Sequence, residues 1–302
     1  MAEVVVAGGS GFIGSAVVRR LVARGDRVRV MTAHPGRSAD RIRAAGAEPV
    51  EGDLLRAETL RPALEGAEVV VQSLSFPSFP VEKPSRKWTF TEFEHHGTER
   101  LVTAAKEAGA RRYVYVSGVG VAPDARFVWH RAKWAGERAI LASGVPATII
   151  RPSWAFGEHD AALNRFVTLV KRFQFVPQIG NGRQRINPVW VEDIAAVAER
   201  AAAPDAPSGV FEIGGPEVLT MHEILRRMLE VMGRRRPIVP IPAVLPKAAG
   251  AVLRYLPMPP LSPSAVDFLL CDAVADTTDL LARFPMRLTP LREGLATYLA
   301  PR

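Results

Sequence analysis

The 302-residue chain lacks several features, and each absence excludes a class of protein. A single cysteine, Cys271, rules out an intrachain disulfide and a cysteine-based metal cluster. No run of eighteen uncharged apolar residues occurs, since the best candidate, residues 243–256, contains a proline and two basic residues. The first strand-like run begins at Glu3, which leaves no room for a signal sequence. The sequence therefore predicts a cytoplasmic protein, with a peripheral contact to a membrane or a protein complex through its C-terminal part still open.

The chain also has little charge asymmetry, although its formal net charge is +8. Residues 1–150 carry 21 basic and 16 acidic residues, and residues 151–302 carry 18 and 15, so the excess is +5 and +3. The longest basic run, Arg234–Arg236, has no nucleic-acid-binding motif around it. We interpret the excess as a solvated basic surface and expect no nucleic-acid partner.

Strand-like and helix-like segments alternate through the first half of the chain. The predicted strands are Glu3–Ala7, Arg27–Thr32, Ala47–Val50, Glu68–Gln72, Arg112–Val116 and Ala147–Ile150. The predicted helices are Phe12–Ala23, Leu54–Leu64, Phe90–Ala108 and Val128–Ser143. This order predicts βαβ units, and the runs Val4–Val6 and Val69–Val71 are typical of strands buried on both faces. The predicted fold class is α/β, a Rossmann-type doubly wound parallel sheet with a smaller C-terminal lobe.

After Arg151 the alternation becomes irregular. Helices are predicted at Ala161–Phe173, Val191–Ala202 and Thr220–Met232, and a short strand at Val210–Ile213. Eight prolines between residues 237 and 263 argue against a regular core in that stretch. We therefore predict a dinucleotide-binding domain over residues 1–155, with contributions from about 185–215. Residues 156–302 are predicted to form an irregular, proline-rich lobe for a substrate or a partner.

A glycine-rich loop, Gly8 to Gly14, follows the first strand and opens the first helix. Gly8 allows a tight turn, Gly11 lets the backbone approach a pyrophosphate, and Gly14 lets the helix pack closely on the strand. The helix N-terminus adds free N–H groups and the positive end of its dipole. Strand, loop and helix in this order predict a dinucleotide site. The other predicted contacts in the loop are Ser10, Phe12 and Ile13.

The end of the second strand indicates which dinucleotide is bound. An NAD site requires an acidic side chain there for the ribose hydroxyls. This sequence has Thr32, Ala33 and His34 instead. The missing carboxylate removes repulsion against a 2′-phosphate, and Arg37, with Arg41 just beyond it, can pair with that group. NADP(H) is therefore favoured over NAD(H), and Arg37 is the predicted phosphate ligand.

These motifs resemble the extended short-chain dehydrogenase/reductase superfamily. The matching residues are the Gly8–Gly14 loop, Gly52-Asp53-Leu54, Gly97-Thr98, Arg151-Pro152 and Val189–Ala195. Within the superfamily the chain is most similar to the atypical group that contains the nucleotide-binding accessory subunit of respiratory complex I. The residues that carry this closer match are Arg131–Trp134, Gly214–Pro216 and the proline-rich lobe.

The resemblance implies further contacts with the dinucleotide. Asp53, after the third strand, is expected to accept a hydrogen bond from the adenine amine. The remaining contacts that the resemblance implies are Leu54, Leu74, Ser75, Ser117, Lys133 and Pro152.

The chemistry of the superfamily is incomplete in this sequence. The superfamily uses Tyr-x-x-x-Lys on a helix and a Ser or Thr after the fifth strand. The tyrosine is the general acid or base. The lysine lowers the pKa of the tyrosine and holds the nicotinamide ribose. Here Trp129 stands at the tyrosine position and Val119 at the hydroxyl position, while Lys133 is retained among only six lysines. An indole N–H donates hydrogen bonds but no proton at neutral pH. Lys133 is thus a candidate ribose ligand and the candidate catalytic residue.

The histidines lead to no metal prediction. His130 lies one residue from Trp129, about 100° round the helix, and therefore faces elsewhere. His95 and His96 form a pair, but no third ligand at metal spacing accompanies them. We interpret both as ordinary helix residues.

Two classes of function remain open. In the first, NADP(H) is a structural or sensory ligand with little or no turnover. In the second, the protein is an NADPH oxidoreductase that uses Lys133, its pKa lowered by desolvation, without a tyrosine. Trp129, Trp154 and Phe156 would then line an apolar pocket for a hydrophobic or quinone-like substrate, unless all three are core aromatics. A sugar-nucleotide epimerase or dehydratase is a weaker alternative, because it needs the missing tyrosine.

Overall fold

The computed structural model describes residues 1–77, 79, 81–253 and 263–300. Its strands are β1 (Glu3–Ala7), β2 (Arg27–Thr32), β3 (Glu48–Glu51), β4 (Val69–Gln72), β5 (Arg112–Val116), β6 (Ala147–Pro152), β7 (Ala155–Phe156), β8 (Val176–Ile179), β9 (Arg185–Ile186), β10 (Val189–Trp190), β11 (Gly209–Ile213), β12 (Leu219–Thr220) and β13 (Ile238–Ile241). Its helices are α1 (Phe12–Arg24), α2 (Pro35–Ala44), α3 (Leu60–Leu64), α4 (Gly97–Glu107), α5 (Val128–Ala142), α6 (Leu163–Arg172), α7 (Val191–Ala201), α8 (Met221–Val231), α9 (Val244–Leu253), α10 (Pro263–Leu269), α11 (Thr278–Arg283) and α12 (Leu291–Leu299). Among the helices described, none has the length and apolarity needed to cross a bilayer.

Seven parallel strands form the main sheet, in the order β11-β6-β5-β4-β1-β2-β3. Because β1 lies between β2 and β4, the chain winds to one edge and then to the other from this centre. β11 comes from the second half of the chain and pairs with β6. The predicted α/β class with a doubly wound parallel sheet is confirmed.

Helices cover both faces of the sheet, and the alternation along β1 shows how the two cores are separated. Val4 and Val6 point into a core shared with α1, α7 and α11. Val5 and Ala7 point into a second core, shared with α3, α4 and α5. All four side chains are fully buried. A third core lies in the C-terminal lobe, among α6, α8 and α12.

Three helical segments of the first half differ from the prediction. The pattern between β2 and β3 does not predict α2, because that helix buries a single residue, Ile42, and so has no apolar stripe. The predicted helix Leu54–Leu64 is a 3-10 turn at Ala57–Thr59 followed by α3. The predicted helix Phe90–Ala108 begins with a π-helical turn at Thr91–His96, which runs directly into α4.

The proline-rich stretch is more regular than predicted where it is described. β13 pairs in parallel with β8, and α9 and α10 lie further along the chain. Pro240 fits into β13 because, among the described strands, β13 pairs with β8 alone, and a proline is tolerated on such an edge strand. Residues 254–262, with three of the eight prolines, lie outside the described residues. The proposed division of the chain near residue 155 stays a prediction.

Candidate dinucleotide-binding site

The carboxyl ends of β1 and β4 flank a crevice where the strand order reverses, the usual ligand position in such sheets. Gly8 follows β1 with a φ of 84°, in the left-handed region that glycine adopts readily. A Cβ at this residue would lie 3.0 Å from the backbone nitrogen of Leu74, which follows β4. Glycine therefore lets the two loops at the crevice approach each other.

The loop fits a pyrophosphate. Gly14 is its tightest position, since a Cβ there would collide with the carbonyl oxygen of Gly8, whereas a Cβ at Gly11 would lie 3.2 Å from that oxygen. Gly11 is the N-cap of α1 and has no capping side chain, and the described first turn of α1 carries no acidic residue. Its N–H groups are thus free to bind an anion. Because the Phe12 and Ile13 side chains pack against the core, these two residues can contact a ligand through their backbone.

Helix α2 brings one of its arginines onto the glycine loop. Nη2 of Arg41 donates a 2.8 Å hydrogen bond to the carbonyl oxygen of Ser10. Arg37, the predicted phosphate ligand, lies one turn earlier on α2 and is exposed. Glu51, at the end of β3, is paired with Arg56 at 2.8 Å, so its negative charge is compensated. This end of the site is positive, and Arg41 is the arginine that contacts the loop.

In the turn after β3, the side chain of Asp53 is half-buried and that of Leu54 is in the core. The carboxylate of Asp53 accepts a 3.0 Å hydrogen bond from the Leu55 N–H and lies 3.5 Å from Nε of Arg56. Leu54 is 2% exposed and packs in the core with α4. Because the Leu54 side chain is taken up by the core, its predicted dinucleotide contact would have to use its backbone, whereas the half-buried Asp53 is accessible; both contacts stay predictions.

Residues after β4, β5 and β6 meet at the same edge of the sheet. Ser117 is 9% exposed, and within the described part of the chain its hydroxyl has no hydrogen-bond partner. A buried hydroxyl of this kind is suited to a ligand. Val119 donates a 2.9 Å hydrogen bond from its N–H to the carbonyl oxygen of Pro152, which ties the two strand ends together. Leu74 is half-buried, and Ser75 is exposed.

Lys133, on α5, is bound by two side chains from other elements. Its Nζ lies 2.8 Å from Oε2 of Glu94 and 3.4 Å from the hydroxyl of Tyr115. Glu94 belongs to the π-helical turn, and Tyr115 belongs to β5. The side chains of Lys133 and Glu94 are 12% and 3% exposed. The three residues form a buried Glu94–Lys133–Tyr115 cluster that local sequence patterns do not predict.

The Glu94–Lys133–Tyr115 cluster keeps the lysine charged. Burial disfavours the ammonium form, but the carboxylate of Glu94, together with Tyr115, outweighs burial and raises the pKa of Lys133. Burial also raises the pKa of Tyr115, so its phenol stays protonated. The expectation that desolvation lowers the pKa of Lys133 is wrong, because the paired carboxylate reverses the direction.

A family model described as NAD(P)H-binding matches residues 8–199. The chain belongs to this NAD(P)H-binding family. Over 287 residues it is 31% identical to the NADH dehydrogenase [ubiquinone] 1 alpha subcomplex subunit 9, mitochondrial, of Arabidopsis thaliana, covering 91% of this chain and 70% of the relative. The predicted similarity to atypical short-chain dehydrogenases/reductases, and to a complex I subunit among them, is confirmed.

Other members and structures extend the comparison. The NAD(P)H-binding chain is 27% identical over 270 residues to a 4-hydroxy-2-methyl-3-oxo-4-farnesyl-3,4-dihydroquinoline-1-oxide ketoreductase of Stigmatella aurantiaca, with 81% and 78% of the two chains covered. The crystal structure of the Bordetella bronchiseptica enzyme WbmG in complex with NAD superimposes with a TM-score of 0.77. At 18% identity over 99% of this chain and 93% of that one, this likeness shows a shared fold.

In this NAD(P)H-binding protein the predicted aromatic pocket is not formed as one group. Trp129 is 7% exposed and stacks on Phe127, with the ring centroids 4.6 Å apart, in the core beside α5. Phe156 is 1% exposed and, with the half-buried Trp154, belongs to the core of the C-terminal lobe. Trp129 is therefore in a different cluster from the other two. Trp129 and Phe156 are core aromatics, which was the alternative to a substrate pocket.

The histidines of the NAD(P)H-binding chain occupy two environments. His130 contacts the rings of Phe127 and Phe268, and burial, with Lys133 nearby, lowers its pKa to about 4. The ligand atoms of His95, His96 and Glu99 lie within 4.8 Å of one another, so a third potential metal ligand does accompany the pair, contrary to the sequence interpretation. Glu99 lies one turn further along the helix, at a spacing that the sequence does show. The 3.5 Å contact of His96 with Glu99 explains this proximity as an i,i+3 pair.

Two family motifs of the chain serve to hold the fold together. Arg151 of the Arg-Pro motif binds Glu137 of α5 through two hydrogen bonds, of 3.0 and 2.5 Å. Asp193, in the late motif at the start of α7, accepts hydrogen bonds from the N–H and hydroxyl of Thr289. Burial raises the pKa of Asp193. These motifs connect the sheet to α5 and to the C-terminal lobe.

Proposed function

We propose that this protein binds NADP(H) as a structural or sensory ligand and does not carry out tyrosine-dependent hydride transfer. The observation that carries the proposal is the buried Glu94–Lys133–Tyr115 cluster, in a chain whose glycine loop fits a pyrophosphate. Lys133 is kept as an ammonium, while the residue four positions earlier, Trp129, has no proton to give. The site keeps these binding groups, and neither Lys133 nor Trp129 readily supplies a proton.

Different residues would bind the phosphate groups and the nicotinamide ribose of a dinucleotide. The N–H groups at the start of α1 would bind the pyrophosphate, and Arg41 would bind a 2′-phosphate. Lys133 and the hydroxyl of Ser117, which has no hydrogen-bond partner among the described residues, would bind the nicotinamide ribose. A bound nicotinamide supplies a hydride donor or acceptor; the groups named here orient it and give it no proton.

The preference for NADP(H) rests on charge. Thr32 to His34 supply no carboxylate at the end of β2, and Arg41 lies against the glycine loop. A 2′-phosphate would meet a guanidinium there and no carboxylate from those three residues. The exposed Arg37 can approach the same phosphate from solvent.

An NADPH oxidoreductase for a hydrophobic or quinone-like substrate is the second candidate. The likeness to the Stigmatella ketoreductase over most of the chain favours it. Such an enzyme would need a proton donor other than Trp129, and the raised pKa of Lys133 makes that ammonium a weak acid. A sugar-nucleotide epimerase ranks below both, because it requires the absent tyrosine.

We also propose that the protein works as part of a larger assembly. The Arabidopsis relative is named as a subunit of NADH dehydrogenase, and its similarity extends over 91% of this chain and 70% of the relative. A dinucleotide that is not consumed can stabilise such a subunit by mass action, because it binds only the folded state.

Native mass spectrometry of the purified protein tests the first proposal. The expected result is a mass increase corresponding to one NADP(H) per chain, and tighter binding of NADPH than NADH by calorimetry. In a parallel assay, NADPH absorbance should stay constant with quinones and enones added. Rapid NADPH oxidation with either substrate class would replace the structural role with the oxidoreductase, and absence of any dinucleotide binding would refute both.

A further inference from the structure

The π-helical turn Thr91–His96 aims an acidic side chain into the protein. Glu94 is 2% exposed, and both of its oxygens are used. Oε2 binds Lys133 Nζ at 2.8 Å, and Oε1 accepts a 2.8 Å hydrogen bond from the N–H of Phe76. One carboxylate thus joins the lysine on α5 to the loop that follows β4.

That loop is part of the dinucleotide crevice. Leu74 lies two residues before Phe76 and packs against Gly8. A Cβ at Gly8 would lie 3.0 Å from the backbone nitrogen of Leu74. A displacement of the Phe76 backbone would be transmitted to Leu74 and the glycine loop, since only one residue separates them. Glu94 therefore links the pyrophosphate end of the crevice to the lysine end.

Close helix packing fixes this link. A Cβ at Gly136, on α5, would lie 2.5 Å from the carbonyl oxygen of Glu94, so α5 can approach the turn only with glycine there. Lys133 is one turn before Gly136 on the same face of α5. The helix is thereby held where the lysine reaches Glu94.

The Lys133 ammonium has one more hydrogen-bond donor than its two protein partners use. An ammonium has three N–H donors. One points to Glu94 and a second to Tyr115, which leaves a third for another partner. The two protein partners fix the orientation of the third.

We propose that Glu94 is the positioning residue of the dinucleotide site, holding Lys133 and the loop after β4 in the arrangement that binds the nicotinamide ribose. This inference rests on the proposed function, because it assigns the ribose to Lys133. Glu94 itself touches no ligand in this arrangement; it acts through Lys133 and through Phe76.

The first test follows the lysine directly. The chain has six lysines, so ¹³C-lysine labelling gives few signals, and Lys133→Arg assigns the one of interest. Glu94→Gln keeps the size and an acceptor oxygen but removes the charge; it should lower the pKa of Lys133 by about 1–3 pH units. Glu92→Gln is the matched control, since Glu92 lies in the same turn but pairs with Arg100 at 2.8 Å. An unchanged pKa in Glu94→Gln would overturn the inference.

The second test measures binding. Glu94→Gln should weaken NADPH about tenfold, the loss of roughly one charge-assisted hydrogen bond, while Glu92→Gln should not weaken it. Glu94→Asp keeps the charge with a shorter reach, so it should retain the raised pKa of Lys133 and recover part of the affinity. A purely structural role would lower the melting temperature in Glu94→Gln without the lysine shift, and that outcome also contradicts the inference.

A wild-type measurement keeps the inference testable if Glu94→Gln fails to fold. NADPH should move the Lys133 signal and leave the exposed Lys83 and Lys87 signals in place. If the wild type binds no dinucleotide, the proposed function fails. If it binds and the Lys133 signal does not move, or if both glutamine variants lose affinity equally, the inference about Glu94 fails alone.

Discussion

The hydroxyl of Tyr115 lies 3.4 Å from Nζ of Lys133, so a tyrosine and a lysine meet in this protein across a strand and a helix. In the related dehydrogenases the same two residue types stand four positions apart on one helix. Tyr115 is fully buried in the sheet, and burial raises its pKa. The phenol therefore orients the lysine and is shielded from any substrate.

Restoring the tyrosine at position 129 should not create a reductase. In Trp129→Tyr the new hydroxyl would enter a cluster of aromatic rings that includes Phe90 and Phe127. We expect no gain in NADPH-dependent carbonyl reduction and a loss of stability of about 1–3 kcal/mol from the buried hydroxyl. Trp134→Tyr, at a half-buried position on the same helix, is the control. NADPH oxidation and urea unfolding measure the two effects, and a reductase activity in Trp129→Tyr alone would refute the prediction.

Substitutions at two glycines of the Gly8–Gly14 loop should have different effects, one on NADPH binding and the other on stability. Gly11→Val adds a branched side chain at the N-cap of α1, near the Gly8 carbonyl and on the side where a pyrophosphate would bind. We expect NADPH binding to disappear in calorimetry while the melting temperature changes little. Gly14→Ala should instead lower the melting temperature, because its Cβ collides with the Gly8 backbone. Gly36→Ala is the control, since a Cβ there meets nothing within 4 Å. Undiminished affinity in Gly11→Val would remove the loop from the site.

Cofactor preference should depend on Arg41 more than on Arg37. Arg41→Ala removes the guanidinium that contacts Ser10 and should weaken NADPH by about 1.5–3 kcal/mol, with NADH almost unchanged. Arg37→Ala should have a smaller effect: both side chains are exposed, but of the two only Arg41 donates a hydrogen bond to the glycine loop within the described part of the chain. Ala33→Asp should shift the preference towards NADH, because a carboxylate repels the 2′-phosphate. An NADPH/NADH affinity ratio that is the same in all three variants would place the specificity site elsewhere.

The Lys133–Glu94 ion pair should show coupling in stability. Lys133→Met leaves a carboxylate buried without its partner, which should cost about 3–5 kcal/mol in unfolding free energy at neutral pH. Adding Glu94→Gln to Lys133→Met should recover a large part of this loss, because the unpaired charge is gone. Urea unfolding of the wild type, both single variants and the double variant closes the cycle. If the losses of unfolding free energy in the two single variants simply add up in the double variant, Lys133 and Glu94 do not interact directly.

His130 should destabilise the fold in acid. Its pKa is about 4 in the folded protein and about 6.5 in the unfolded chain, so the unfolded state takes up a proton first as pH falls below about 6.5. Between about pH 7 and 4.5 this should remove about 2–3 kcal/mol of stability, a loss that His130→Phe should not suffer. His34→Phe, at an exposed position, is the control. Equal acid sensitivity of the wild type and His130→Phe in urea unfolding would show that the histidine is not desolvated.

The sequence by itself determined the features that depend on neighbours along the chain. The alternating strands and helices, the Gly8–Gly14 loop and the loss of the tyrosine at Trp129 are all local patterns. They fix the fold class and the position of the crevice, because a parallel sheet brings successive strand ends to one edge. Where a helix buries little, as α2 does with Ile42 alone, even the local pattern gives no signal.

Only the tertiary structure decided what surrounds Lys133 and which side chains reach the site. Glu94 and Tyr115 are 39 and 18 residues away from Lys133 along the chain, and no spacing rule connects them. The close approach at Gly136 and the π-helical turn bring them together. Burial then sets the chemistry, because a lysine in a low-dielectric interior keeps or loses its proton according to the charge packed beside it.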